Sequence, residues 1–137
     1  MRTIKFRARR KNGKWVVGNF INHFSTYFKT EERHSIFLPK PENDNGGYWV
    51  EDIDPETVGQ FTSLHDCDGK EIFEGDILDF NGLTVEVRFV RGVFAFLANG
   101  ELDEELCGDC RTDLFAKVIG NIHDNPNILK VSKKLKD

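Results

Sequence analysis

Apolar and polar residues alternate strictly at two places in the chain, 4–9 and 83–89, and short apolar runs between turns mark its other strands. Ile4, Phe6 and Ala8 interleave with Lys5, Arg7 and Arg9, the period-two signature of a strand with one wet face. Asn12-Gly13 suits a tight hairpin turn, and Trp15 to Ile21 returns as the second strand. Further on, residues 76–80 (DILDF), 83–90 (LTVEVRFV) and 93–98 (VFAFLA) are joined by Asn81-Gly82 and Arg91-Gly92, which predicts a three-stranded meander. In its middle strand Leu83, Val85, Val87 and Phe89 are expected in the core, and Thr84, Glu86 and Arg88 in solvent. Residues 114–122 (LFAKVIGNI) supply a last strand, with Ile119 also assigned to the core.

The stretches between are less regular. Residues 35–38 (SIFL) and 48–50 (YWV) have strand character, and 39–47 (PKPENDNGG) has the composition of a loop. Asp54 and Pro55 can cap and open a single helical turn at 54–58. Residues 99–113 form an acidic loop, and the chain ends in the charged KVSKKLKD. The most organised stretch is 59–80, GQFTSLHDCDGKEIFEGDILDF, where Asp66-Cys67-Asp68-Gly69 and Gly75-Asp76 make two turns with Ile72 and Phe73 between them. Phe73, Leu78 and Phe80 are expected in the core beside Val85 and Val87. Three regions follow: an N-terminal β region at 1–58, a compact β unit at 59–125 and a tail at 126–137.

Three of these segments carry a resemblance. VGQFTSLHDCDGKEIFEGDIL at 58–78, the opening MRTIKFRARR and the closing VIGNIHDNP at 118–126 resemble the middle, start and end of the YopX family of small phage and prophage proteins. The resemblance implies a mainly β protein with an SH3-like small barrel in its C-terminal half. It implies no activity, so no catalytic residue carries over. Two departures matter. Ser63 stands where a Gly is usual after Thr62, which weakens the expectation of a positive φ there, and Cys67 occupies a turn position usually filled by a polar residue.

Composition agrees with the β reading, since twelve of the sixteen aromatic residues are Phe and there is one Met. No apolar run approaches the roughly 18–20 residues of a membrane span, and the basic start leads into no apolar signal core. Three cysteines, an odd number, fit a reducing compartment, so the cytoplasm of a bacterial host is the expected location and no membrane partner is expected. Charge is unevenly spread. Residues 1–20 hold seven basic and no acidic side chains, whereas 31–113 hold 21 acidic and 6 basic. The basic strands can lie on the acidic body of this or a second copy. The alternative is nucleic acid, with Arg7, Arg9, Arg10, Lys11 and Lys14 on phosphates and Trp15 or Phe6 stacking on bases.

Candidate chemistry is sparse. His65, Cys67, Cys107 and Cys110 offer zinc one nitrogen and three sulfurs, and Cys107-x-x-Cys110 has thiolate-pair spacing. The competing reading, reduced cysteines in loops with no metal, is simpler and is the one adopted. Carboxylates such as Glu74, Asp76 and Asp79, or Glu101, Asp103, Glu104 and Glu105, lack any feature that separates an acid from a base, and the four histidines show no ligand spacing. The function expected is a non-enzymatic interaction or self-assembly module without cofactor, homo-oligomeric or docked on a phage or host protein. Phe24, Tyr27, Phe28, Tyr48 and Trp49 are the interface candidates.

Overall fold

In the structure, a computed structural model, residues 2–24, 32–39, 48–103 and 111–129 are described. The chain is mainly β and divides into two compact units, Thr3–Gln60 and Phe61–Asp137. In the first, β1 (Phe6–Arg9), β2 (Trp15–Phe24), β3 (Glu32–Pro39) and β4 (Tyr48–Asp52) pair antiparallel in sheet order β4-β3-β2-β1. The first residues of β5 (Gly59–His65) pair with Arg7 and Phe6 on the other side of β1. The alternation read from residues 4–9 sets the faces as expected from Phe6 on, because Ala8, Val16, Ile36 and Ile53 are buried with Phe6, Phe20 and Val58 packed against them, whereas Ile4, ahead of β1, is exposed. A 3-10 turn at Pro55–Thr57 follows Asp54, whose carboxylate accepts from the Glu56 N–H, so the capping expected there is present.

The second unit contains β6 (Glu71–Phe73), paired with the later part of β5, and a five-stranded antiparallel sheet. That sheet runs β10-β9-β8-β7-β11, from β7 (Asp76–Phe80), β8 (Leu83–Val90), β9 (Val93–Ala98), β10 (Glu101–Leu102) and β11 (Ala116–Asn121). Asn81-Gly82, Arg91-Gly92 and Asn99-Gly100 all have positive φ at both residues, the backbone that a two-residue hairpin matched to strand twist requires. The core holds Ile72, Leu78, Phe80, Val85, Val87, Phe96 and Ala116, with Phe73 also buried.

Four expectations are corrected. First, the sheet does not close into a barrel among the described residues. The outer edge of β11 is taken by a turn instead of a strand: the Cys67 N–H donates to the Ala116 carbonyl (2.9 Å), and the Val118 N–H donates to Asp66 Oδ2 (3.0 Å). Second, Phe89 is exposed, because β7 pairs with β8 only from Leu83 to Glu86 and leaves the β8–β9 ribbon to project beyond it. Third, Ile119 is exposed, since the register of β11 on β7 shifts between Val118 and Gly120. Leu114 and Phe115 lie in a short helix, α1 (Thr112–Phe115), instead of the last strand, and are exposed too. Fourth, Ser63 has φ 72° despite carrying a Cβ. Thr62 enforces this, as its buried hydroxyl donates to the Ile72 carbonyl (2.7 Å) and accepts from the Leu64 N–H (3.1 Å) while the β5–β6 register slips between Phe61 and His65.

The turn after β5 is centred on Asp66, which is buried. Its Oδ1 accepts from the N–H groups of Asp68 (2.9 Å) and Lys70 (2.8 Å), and Oδ2 accepts from Val118, 52 residues away. Gly69 closes the turn at φ 81°. Burial acts to raise the Asp66 pKa, but the Val118, Lys70 and Asp68 N–H groups and the Lys70 ammonium outweigh it and hold the carboxyl below its ordinary value. The closing motif is a second stitched turn. Asn121 Oδ1 accepts from His123 and Asp124 N–H groups, and Asn125 lies so close to Gly120 that a Cβ there would meet its Oδ1 at 2.6 Å.

Two measurements check this account. Asp66→Ala is expected to cost about 2–3 kcal/mol in urea denaturation at neutral pH, through the loss of three bonds to a charged acceptor. Because the folded pKa is lowered, the Asp66 contribution is complete above the ordinary carboxyl value of about 3.9 and is lost as pH falls through the folded one. The stability difference between wild type and Asp66→Asn should therefore shrink on acidification; a difference independent of pH would show that the carboxylate charge is not what holds the turn. Ser63→Gly is expected to stabilise the protein by about 1 kcal/mol, the left-handed strain of Ser exceeding the entropy cost of Gly. An unchanged or lower melting temperature would contradict the strain.

Candidate functional site

The second face of the five-stranded sheet is set by the row Ile77, Glu86 and Leu97, which are cross-strand partners on β7, β8 and β9. All three are buried, so the expectation of a solvent face at Thr84, Glu86 and Arg88 fails at Glu86, which is only 7 % exposed. The closing turn accounts for this. It leads the chain into a helical turn at residues 126–129, and Leu129 joins Leu97 in walling a pocket over Glu86.

A carboxylate buried in this way needs a partner. Arg88, two residues on and hence on the same face, supplies it: Nε donates to Glu86 Oε2 (2.7 Å) and Nη2 to Oε1 (3.0 Å). The fork fixes the guanidinium plane, although the Arg88 side chain remains 52 % exposed. Thr84 precedes the pair on the same face, and the Asn99-Gly100 turn forms the far wall. The pocket encloses about 60 Å³. Its chemistry is that of hydrogen bonding around a balanced charge pair.

A second feature lies at the tip of the β8–β9 ribbon. Phe89 and Phe94 are cross-strand partners whose rings meet edge to face at 5.1 Å. They continue the core row of Val87 and Phe96 past the part of β8 that β7 covers. Val93, paired with Val90, is exposed on the opposite face of the ribbon. β10 pairs with β9 only at Leu97 and Ala98. Neither feature was read from the sequence. The signal was there, in a β8 of eight residues facing a β7 of five.

Of the basic candidates, Arg7, Arg9 and Trp15 come together. The Arg7 and Arg9 guanidinium carbons lie 5.0 and 6.0 Å from the Trp15 ring centroid. Arg10 does not join them, since its Nη2 pairs with Glu51 at 3.2 Å. Lys11 and Lys14 are exposed in the turn between β1 and β2, and Phe6 packs in the core. Of the zinc candidates, His65 packs edge to face on Phe61 at 5.6 Å and Cys67 is an exposed free thiol. Cys107 and Cys110 lie outside the described residues, among which no three metal-ligating side chains cluster. Phe24 ends β2, and Tyr48 and Trp49 open β4; Tyr27 and Phe28 lie outside the described residues. Among the described residues no helix is long and apolar enough to cross a membrane.

A family model described as YopX protein matches residues 5–130. No curated protein matches the chain. Among solved structures, the fold is similar to that of protein EF1440 from Enterococcus faecalis, with a TM-score of 0.57 at 24 % sequence identity, covering 94 % of this chain and 99 % of that one.

Proposed function

This chain belongs to the YopX family, and on that footing we propose that it is a non-enzymatic interaction module that self-associates and, in a phage-carrying bacterium, docks on a phage or host protein in the cytoplasm. The observation that carries the reading is the ribbon tip. Phe89 is 49 % and Val93 59 % exposed, at the end of β9 that β10 does not reach. Apolar side chains at one place with a strand edge that, among the described residues, is unpaired before Phe96 are what strand addition uses: main-chain bonds extend the sheet, and side chains bury apolar area. Burying a Phe and a Val contributes roughly 1.5–3 kcal/mol each. A second copy is the occupant proposed, because a ribbon pairing with its own image across a two-fold axis meets the same strand edge, with Phe89 on one face and Val93 on the other, from both sides. The separation of charge along the chain adds to this, giving a basic N-terminal strand pair and an acidic body that attract one another between copies.

A second reading, nucleic-acid binding through β1 and β2, is favoured by the gathering of Arg7 and Arg9 at Trp15. It is weakened by the Arg10–Glu51 pair and by guanidinium groups over the indole face that a base would use. That reading requires a gel shift that weakens steeply between about 50 and about 200 mM salt.

Light scattering at about 150 mM salt is expected to give a mass of at least two chains. Val93→Lys, a charge on the exposed edge, should return the protein to a monomer that keeps the wild-type circular dichroism spectrum and whose melting temperature no longer depends on protein concentration. A wild-type monomer at every concentration would overturn the reading.

A further inference from the structure

We propose that the pocket over Glu86 is a binding site for a side-chain carboxamide, an Asn or Gln presented by a partner polypeptide. The inference rests on the interaction reading and goes beyond it by naming what one part of the surface recognises.

Size is the first argument. The pocket encloses about 60 Å³, whereas metabolite sites run to roughly 300–1,000 Å³ and a single water needs about 10–15 Å³. It therefore takes a group of a few heavy atoms. Such a group reaches the pocket on the end of a longer chain.

Charge is the second. Glu86 and Arg88 neutralise one another within the pocket wall. A carboxylate entering would meet the buried Glu86 beside Arg88, and an ammonium would meet Arg88 beside Glu86, so either ion leaves its water for a site with no net opposite charge to replace it. A neutral guest avoids that cost.

Hydrogen bonding is the third. A guanidinium has five N–H donors, and the fork to Glu86 uses two, so the remaining edge of Arg88 can donate to a guest oxygen. The Glu86 oxygens and the Thr84 hydroxyl can accept from a guest N–H, and the Asn99 amide can do either. A carboxamide is small, flat and neutral, and offers both an acceptor and two donors. Leu97 and Leu129 supply apolar walls for its faces and for the methylenes behind it.

The site is also held in place beforehand. Glu86 lies on the central strand of the sheet, Arg88 is oriented by the bidentate pair, and Asn99-Gly100 is fixed at φ 55° and 78°. Little ordering remains to be done on binding.

The test is an NMR titration of the ¹⁵N-labelled full chain with four probes: the N-acetyl methylamides of glutamine, glutamate, lysine and alanine. The glutamine probe is expected to give saturable shifts at the Asn99 and Gly100 backbone amides and at Arg88 Nε–H, with affinity at least about fivefold above the other three. Arg88→Met should weaken it by about tenfold, the effect of losing a bond to a charged donor. Should Arg88→Met disturb the fold, Thr84→Val serves in its place, with a weakening of about threefold. Absence of saturation by the glutamine probe, equal binding of the alanine probe, or tighter binding of either charged probe would overturn the assignment. Such a failure alongside intact self-association in light scattering would remove the pocket and leave the module reading standing.

Discussion

The second unit depends on one carboxylate. Asp66 is buried in a turn, where an unsatisfied charge would be costly, and it is tolerated because three backbone N–H groups converge on it. Two belong to its own turn and one to Val118 on the last strand, so a local motif is tied to an element 52 residues away. That tie, with the Cys67 N–H on the Ala116 carbonyl, occupies the outer edge of β11. An edge that would otherwise need another strand is finished by a turn, which is why the sheet remains open in topology yet protected on that side. The conspicuous stretch at 59–80 thus serves folding: its aspartate is an internal acceptor, and its glycine supplies the backbone angle that closes the turn.

Much of this was legible in the sequence, and the misses share a physical cause. Alternation assigns side chains to faces, and it did so correctly for Val85 and Val87 as it did for Ala8. It carries no information on how far the covering element extends. Phe89 is on the core face by period, yet exposed because β7 ends before it. Glu86 is the opposite case, polar by type and buried because the closing turn folds back over a face that period alone leaves to water. Ser63 shows a third limit. Residue type favoured an ordinary backbone, and the Thr62 hydroxyl, bonded both to β6 and to Leu64, overrode that preference. The register slip of β11 at Ile119 is of the same kind, set by the approach of Asn125 to Gly120.

The charge pattern is partly an internal affair. Arg10 pairs with Glu51, 41 residues away in sequence, and the Arg9 N–H donates to Thr57 Oγ1 at 2.8 Å, so the basic opening is secured to its own unit before any partner arrives. A half-buried but still hydrated pair of this type contributes little energy, about 1 kcal/mol. Its effect is orientation. With Arg7 and Arg9 held at Trp15, the first two strands present a fixed cationic face instead of a loose basic arm.

The two faces of the β7–β8–β9 sheet then differ in what they can recognise, and the difference follows from the alternation of β8 and from what covers each of its faces. On the core face, Val85, Val87 and Phe89 form one row whose last member outruns its cover, which makes an apolar contact with no directional demand. On the other face, Thr84, Glu86 and Arg88 form a row whose middle member is buried and must be satisfied, which fixes the orientation of its neighbour. The first provides affinity through area and the second selectivity through hydrogen-bond geometry. One eight-residue strand, alternating strictly and longer than β7 by three residues, carries both, the short β7 exposing one face and the closing turn covering the other.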